Sequence, residues 1–186
     1  MIIGLVGTFA AGKDTAAEYL VKKYGFKHVS TGNIVRKLVR TNDWGDLGRE
    51  NLQRVGNKLR REHGEGYLVE VALQEAPPLV VSGMRNPMEV QTLKEHGEVV
   101  ISIDAPINQR WERAKARQRI DDALTVEEFV QQQKVEESPD PKAQNITSVI
   151  AMSDYSISNE GTLSQLEQQL DEILTRLSRD SRDSQS

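Results

Sequence analysis

The chain has 186 residues, a hydrophobic content of 37% and a formal net charge of −4. That is enough apolar material for one sheet-and-helix core, and the acidic balance gives no general attraction to nucleic acid or to an anionic membrane. Cysteine is absent, which excludes a disulfide framework and thiolate chemistry, and His28, His63 and His96 stand without metal-ligand spacing. No basic leader precedes the first apolar run and no run is long enough to span a bilayer, so a cytoplasmic protein without signal peptide or membrane anchor is expected.

Ile2–Val6 reads as a buried strand. It runs into Gly7-Thr8-Phe9-Ala10-Ala11-Gly12-Lys13-Asp14-Thr15, in which Gly7, Gly12 and Lys13 have the GxxxxGK spacing of a phosphate-binding P-loop. Ala16, Ala17, Leu20, Val21 and Tyr24 then form an apolar helical face. Glycines let the backbone curl so that successive N–H groups surround an anion, and the helix N-terminus favours negative charge. Lys13 adds a point charge for the terminal phosphates. Gly7, Thr8, Ala10, Ala11, Gly12, Lys13, Asp14 and Thr15 are therefore the expected donor-nucleotide residues.

Lys27–Ser30, Leu79–Ser82, Val99–Ile103 and Asp154–Ser158 read as four further strands, with helical patterns between them. The alternation predicts a P-loop NTPase-type three-layer α/β/α fold around a five-stranded, mainly parallel sheet, with ligands at the carboxyl ends of the strands. A helical, glycine-punctuated insertion is expected over about 31–75 and a charged lid region over about 110–150, both belonging to one domain of residues 1–178. The leucine stripe from Leu163 to Leu177 predicts a terminal helix packed on the sheet, and the polar residues 179–186 read as a disordered tail.

Strand two ends in Ser30-Thr31-Gly32-Asn33-Ile34-Val35-Arg36, with Thr31 placed to cap the next helix. Together with the phosphate loop and the Tyr24-Gly25 turn, this order resembles the nucleoside monophosphate kinases, adenylate kinase in particular, in which a GxxGxGKGT loop, a YG turn and an STGDxxR stretch follow one another. The resemblance implies that Thr31 and Arg36 hold an acceptor nucleotide. It also implies that Arg85, in Ser82-Gly83-Met84-Arg85-Asn86-Pro87, grips the acceptor phosphate, which a guanidinium does through two parallel hydrogen bonds. A more specific layer lies in Gly56-Asn57-Lys58-Leu59-Arg60 and in Gly83–Val90. These resemble a P-loop kinase-like subgroup with GNxLR and GxRNPxEV, similar to dephospho-CoA kinases, phage deoxynucleotide kinases and the kinase-like part of some deoxycytidylate deaminase fusions. That layer implies acceptor-pocket roles for Arg54, Asn57 and Arg60.

After strand four, Arg110, Arg113 and Arg117 recur at i, i+3 and i+7, so one helix face carries three positive charges. Ion pairs with Glu112, Asp121 and Asp122 and a bound triphosphate both account for such a stripe. The resemblance implies the second, with Arg113 stacked on the donor base and Arg117 meeting the transferred phosphate. It also sets the Asn159-Glu160-Gly161 turn against the donor adenine, with Gly161 allowing close approach.

Two positions depart from the kinase pattern. Asp14 stands where many P-loop proteins carry the Ser or Thr on Mg²⁺, and Ser82 stands where the kinases usually carry an aspartate. Asp14 and Asp104 are the carboxylates expected to compensate at the metal. The resulting expectation is a Mg²⁺- and ATP-dependent kinase with catalytic Lys13, Arg85 and Arg117, acting on a nucleotide-like acceptor, with a (deoxy)nucleoside monophosphate first and dephospho-CoA second. A non-catalytic ATP-binding regulator is the alternative of another class. Monomer and homodimer both remain open, and neither a nucleic-acid nor a membrane partner is expected.

Overall fold

The computed structural model describes residues 1–117, 125–134 and 144–183, apart from the side chains of 117, 132, 133 and 180–183. Five strands, β1 (Ile2–Val6), β2 (Lys27–Ser30), β3 (Leu79–Ser82), β4 (Val99–Asp104) and β5 (Tyr155–Ser158), form one sheet in the order β2-β3-β1-β4-β5. Every pairing is parallel, with Leu5 opposite Ser82, Val6 opposite Ser102 and Asp104 opposite Ser158. Parallel strands are covered on both faces, which is why they read as near-continuous apolar runs.

Side-chain alternation divides the core in two. Ile3, Leu5, Val80, Ile101 and Ile103 face α1 (Lys13–Tyr24) and α9 (Leu163–Asp183), meeting Leu20, Leu166 and Leu170. Val6, Leu79, Val81 and Val100 face the other way, toward Val90 and Leu93 of α5 (Pro87–Glu95) and Ile146 and Val149 of α8 (Ile146–Ala151). The insertion after β2 holds α2 (Thr31–Asn42), α3 (Arg49–His63) and α4 (Tyr67–Ala72), which close a small core of their own around Val35, Val39, Val55, Leu59 and Leu68. After β4 come α6 (Ile107–Arg117) and α7 (Val126–Lys134).

Two boundaries differ from the sequence expectation. Ile146 and Val149 are buried in the sheet core, so the last part of the expected lid is core packing. Helix α9 continues to Asp183, through most of the segment read as a disordered tail. Once leucines 166, 170 and 174 have docked the helix, each further residue extends it at little cost, and nothing from 179 to 183 is a helix breaker. Residues 184–186 lie outside the described residues. Among the described residues no helix is long and apolar enough to cross a membrane.

Asp171 ties α9 to α1. Its Oδ1 accepts from the Tyr19 and Tyr24 hydroxyls at 2.7 Å each, and its Oδ2 from Lys23 Nζ at 2.7 Å. Burial pushes the Asp171 carboxyl up, but the hydrogen bonds from Lys23, Tyr24 and Tyr19 outweigh it and hold the carboxyl below its ordinary range. A depressed folded value stabilises above the unfolded value and loses that effect as pH falls through the folded one. Asp171→Asn therefore lowers the thermal midpoint at neutral pH, and the gap to wild type closes below about pH 4, as followed by circular dichroism.

Candidate phosphate-binding and acceptor site

Residues 7–12 leave β1 and enter α1 at Lys13. Gly7, Ala10 and Gly12 have φ of 139°, 61° and 107°. A Cβ on Gly7 would lie 1.9 Å from the Ile103 carbonyl oxygen, and one on Gly12 would lie 2.2 Å from Asn159 Nδ2, so both positions need glycine. Ala10 keeps its Cβ at a left-handed angle, which costs about 1 kcal/mol or more. Its methyl is buried in a cluster with Ala114 of α6 and Phe129 of α7.

Side chains from three elements grip the loop carbonyls. Lys13 Nζ donates to Gly7 O at 2.8 Å and Thr8 O at 2.6 Å. Arg110, buried in α6, donates through Nε to Ala105 O at 2.8 Å and through Nη1 to Phe9 O at 3.4 Å. Asn159 Nδ2 donates to Ala11 O at 2.8 Å, and Arg113 Nη1 to the same oxygen at 3.4 Å. In a trans peptide the N–H points opposite the C=O. Holding the Phe9 and Ala11 carbonyls toward α6 and the β5–α9 turn therefore aims the amides of Ala10 and Gly12 at the cavity lined by residues 9–14. Inward-pointing backbone amides of this kind suit an anion.

That cavity encloses about 1100 Å³ and also reaches His28, Ser82, Arg36 and Arg85. A second cavity of about 160 Å³ opens beside it, under α2 and α3. The two share a wall made by Phe9, Gly32, Arg36, Gly83 and Arg85. Among the described residues the smaller cavity is lined by four arginines (Arg36, Arg49, Arg60 and Arg85) over the apolar floor of Val35, Leu52 and Leu68, and by no carboxylate.

Its walls are fixed by polar contacts. Thr31 Oγ1 donates to Gly83 O at 2.7 Å, joining α2 to the end of β3. Ser30 occupies the helix cap without a side-chain bond, so Thr31 serves as this cross-link and not as the expected cap. Arg60 and Glu89 form an ion pair, 3% and 0% exposed, with Nε and Nη2 at 3.0 Å and 2.9 Å from Oε1. The other Glu89 oxygen accepts from the Arg85 and Asn86 amides at 2.7 Å and 3.1 Å, completing the cap of α5. Glu89 thus sets both the Arg60 head group and the backbone that carries Arg85. Both partners must stay, because an isolated buried charge costs several kcal/mol, about 3–5.

The structure brings Thr31, Arg36, Arg60 and Arg85 to one cavity and Ala10, Ala11, Gly12, Lys13 and Asp14 to the other. Other expected residues go elsewhere. Asn57 stands behind Arg60, accepting from its Nη1 at 3.2 Å. Arg54 is exposed and donates to Asn51 at 2.6 Å. Arg113 braces the Ala11 and Asn159 carbonyls, the latter at 2.8 Å. The missing Cβ of Gly161 makes room for Gln165 Oε1, which accepts from the Thr162 amide at 2.8 Å at the start of α9. Gly7 and Thr8 act through the loop carbonyls, and Thr15 follows inside α1. The Arg117 side chain lies outside the described residues. Phe9, Arg49 and Gln144 line the smaller cavity without having been expected there.

The two carboxylates weighed for a metal are separated. Asp104 Oδ1 accepts from the Thr8 hydroxyl and from the Ala105 amide, the latter at 2.9 Å, beside the loop and away from either cavity. Asp14 and Ser82 both line the larger cavity. Carboxylate and hydroxyl oxygens are hard donors that fit Mg²⁺, which takes one or two protein ligands beside phosphate and water. Ser82 Oγ shares a hydrogen bond of 2.8 Å with His28 Nε2. Burial pushes the His28 imidazole below its ordinary value, against the opposing pull of Asp14 and Glu18.

An all-parallel sheet in this order, with a glycine loop between its central strand and first helix, is a P-loop kinase-like fold. The AAA domain family matches residues 3–137. A UPF0200 protein of Thermococcus kodakarensis is 31% identical over 192 residues, covering 95% of this chain and all of that one. The chain belongs to this AAA domain family and to the UPF0200 proteins. Among solved structures, TT1252 from Thermus thermophilus aligns with a TM-score of 0.63 at 19% identity, over 95% of this chain and 97% of that one. Shikimate kinase from Bacteroides thetaiotaomicron aligns with a TM-score of 0.61 at 16% identity, over 94% and 98%. Those two likenesses concern the fold.

Asn159→Ala removes the closest side-chain donor to the Ala11 carbonyl and is expected to cost about 1–3 kcal/mol in urea denaturation. For His28 the folded chain favours the neutral ring, so protonation favours unfolding. The stability is complete above the ordinary value of 6.5 and falls as pH drops through it. His28→Gln should flatten the loss of stability that wild type shows between about pH 7.5 and about pH 5.5, measured by the same denaturation.

Proposed function

We infer that the chain is an ATP-dependent phosphotransferase that moves the γ-phosphoryl of ATP to a nucleotide-like acceptor, a nucleoside or deoxynucleoside monophosphate. The observation that carries this reading is the common wall of the two cavities. A phosphate chain held by the loop amides and Lys13 and an acceptor held by Arg36 and Arg85 meet across it, as in-line transfer requires. An acceptor phosphate oxygen forms the new bond to the γ-phosphorus, the bridge to the β-phosphate breaks, and ADP leaves with that bridging electron pair. Arg85 and Lys13 are the cations on hand for the charge that develops. Arg117 is assigned the same role by resemblance alone.

The choice of acceptor follows from proton bookkeeping. A hydroxyl acceptor, as on dephospho-CoA, needs a base for its proton. Among the described residues the lining of the smaller cavity holds neither carboxylate nor histidine, and a phosphate oxyanion needs only cations. Asp14 and Ser82 would hold a Mg²⁺ that enters with the nucleotide, and the ion would supply positive charge against the phosphate chain.

ADP release measured across ribo- and deoxynucleoside monophosphates and dephospho-CoA tests the reading. Release stimulated by a monophosphate is expected, with a loss of about 100-fold or more in Lys13→Ala. Slow release indifferent to every acceptor would show a nucleotide-binding regulator, and stimulation by dephospho-CoA alone would move the acceptor to that class.

A further inference from the structure

Gln144 stands just ahead of α8 and is 8% exposed, yet it lines the smaller cavity. A carboxamide carries an acceptor oxygen and a pair of N–H donors. Among the described residues none of them is hydrogen-bonded, whereas the buried Thr31 and Arg60 of the same cavity are tied to Gly83 O and to Glu89. A buried amide left unpaired costs stability, and native structures keep such groups for a reason.

The backbone beside Gln144 is fixed. The Asn145 amide donates to Arg85 O at 2.8 Å, Asn145 Oδ1 caps α8 by accepting from the Ser148 amide at 3.0 Å, and Ile146 and Val149 pack in the sheet core. Gln144 therefore holds a set position relative to Arg85, which belongs to the wall shared by the two cavities. Gln144 is not part of that wall; like Val35, Leu52 and Leu68 it lines the smaller cavity alone. On the loop side the Arg49 guanidinium stacks on the Phe9 ring, with Cζ 4.6 Å from the ring centroid.

We propose that Gln144 reads the base of the acceptor nucleotide. The apolar recess takes the faces of a planar heterocycle. The carboxamide pairs, through its oxygen and an N–H, with a base edge that presents a donor next to an acceptor. The phosphate of the same molecule then lies at Arg36 and Arg85, on the side of the phosphate loop. An amide already stripped of solvent by burial gains its bonds only from a ligand with that edge. A ligand without it leaves the amide unpaired, and sites built this way discriminate sharply.

The inference rests on the proposed function in taking the occupant of this cavity to be a nucleotide, and its test reads binding without turnover. Full-length protein is saturated with tripolyphosphate, which fills the loop without bringing a base. Ribo- and deoxyribonucleoside monophosphates are then titrated calorimetrically, with ribose phosphate and deoxyribose phosphate as probes that lack the base. Wild type is expected to bind its preferred base about tenfold or more tightly than the sugar phosphate and the other bases. Gln144→Met, of similar length, should abolish that preference and leave the sugar phosphates unchanged. It should also keep or raise the thermal midpoint of the ligand-free chain, because it replaces an unpaired amide by apolar packing. Equal affinity for monophosphates and sugar phosphates in wild type, or a base preference that survives in Gln144→Met, would overturn the proposal. A loss shared by the sugar phosphates, with a fallen thermal midpoint, would make Gln144 a structural residue and overturn it equally. A base preference abolished by Gln144→Met, in a chain that transfers phosphate to none of these nucleotides, would instead overturn the proposed reaction and leave this assignment standing. Monophosphate-stimulated ADP release with the same base preference in wild type and Gln144→Met would do the reverse.

Discussion

The outward grip on the carbonyls of the phosphate loop is the contact on which the site depends. A loop with Gly7, Ala10 and Gly12 at left-handed angles has no regular hydrogen-bond ladder of its own. Its shape comes instead from donors that arrive from far along the chain: Arg110 on Phe9, and Arg113 with Asn159 on Ala11. Asn159 also anchors its own backbone to Asp104, so the ends of β4 and β5 and the loop form one unit. The strain at Ala10 is held by the same neighbourhood, because its methyl is packed with Ala114 and Phe129. A strained backbone persists only where its surroundings over-determine it.

From that unit the acceptor side follows by a second fixed joint. The Glu89 carboxylate reaches Arg60 with one oxygen and two backbone amides with the other, so α3, the end of β3 and the start of α5 share one polar centre. Thr31 ties α2 to Gly83 beside it. The result is a cavity in which the Arg60 head group and the backbone of Arg85 are set by the buried Glu89, in a chain whose net charge is negative. Such a concentration of one sign in a low-dielectric recess focuses the field on an anion far more than surface charges would.

The strands were legible because both faces of a parallel sheet are buried, and each run was located to within a residue or so of its observed bounds. The loop was legible because its glycines are demanded by close approach to Ile103 O and Asn159. What sequence does not carry is the direction of a long side chain. Arg110 and Arg113 lie on one helix face, and that pattern is the same whether the face meets a ligand or a backbone carbonyl. Here they meet carbonyls. Asp104 ends a strand as a metal carboxylate would, yet its oxygen is taken by Thr8 and its own neighbouring amide. Nothing in the sequence singles out Phe9 within the loop or Arg49 beside Gly48. Their stack depends on α3 lying over the loop, which no local pattern encodes.

The exchange of residue types between α1 and β3 has a physical sense once both positions are seen on one cavity. A carboxylate after the lysine and a hydroxyl at the strand end supply the same two oxygen types to the same space as the reverse arrangement does. The exchange alters the strand's surroundings, however. A hydroxyl at the end of β3 accepts a neutral histidine as neighbour, and His28 lies 2.8 Å from it. A carboxylate at Ser82 would instead draw a proton onto His28 and place a buried ion pair beside the phosphate loop, where a further fixed cation would compete with the metal for phosphate oxygens. With Ser82 in place, the carboxylates that line the larger cavity are Asp14, Glu18 and Asp46, and its arginines, Arg36 and Arg85, belong to the wall shared with the smaller one. The larger cavity therefore offers carboxylates and cations together, matching a phosphate chain that carries its own metal.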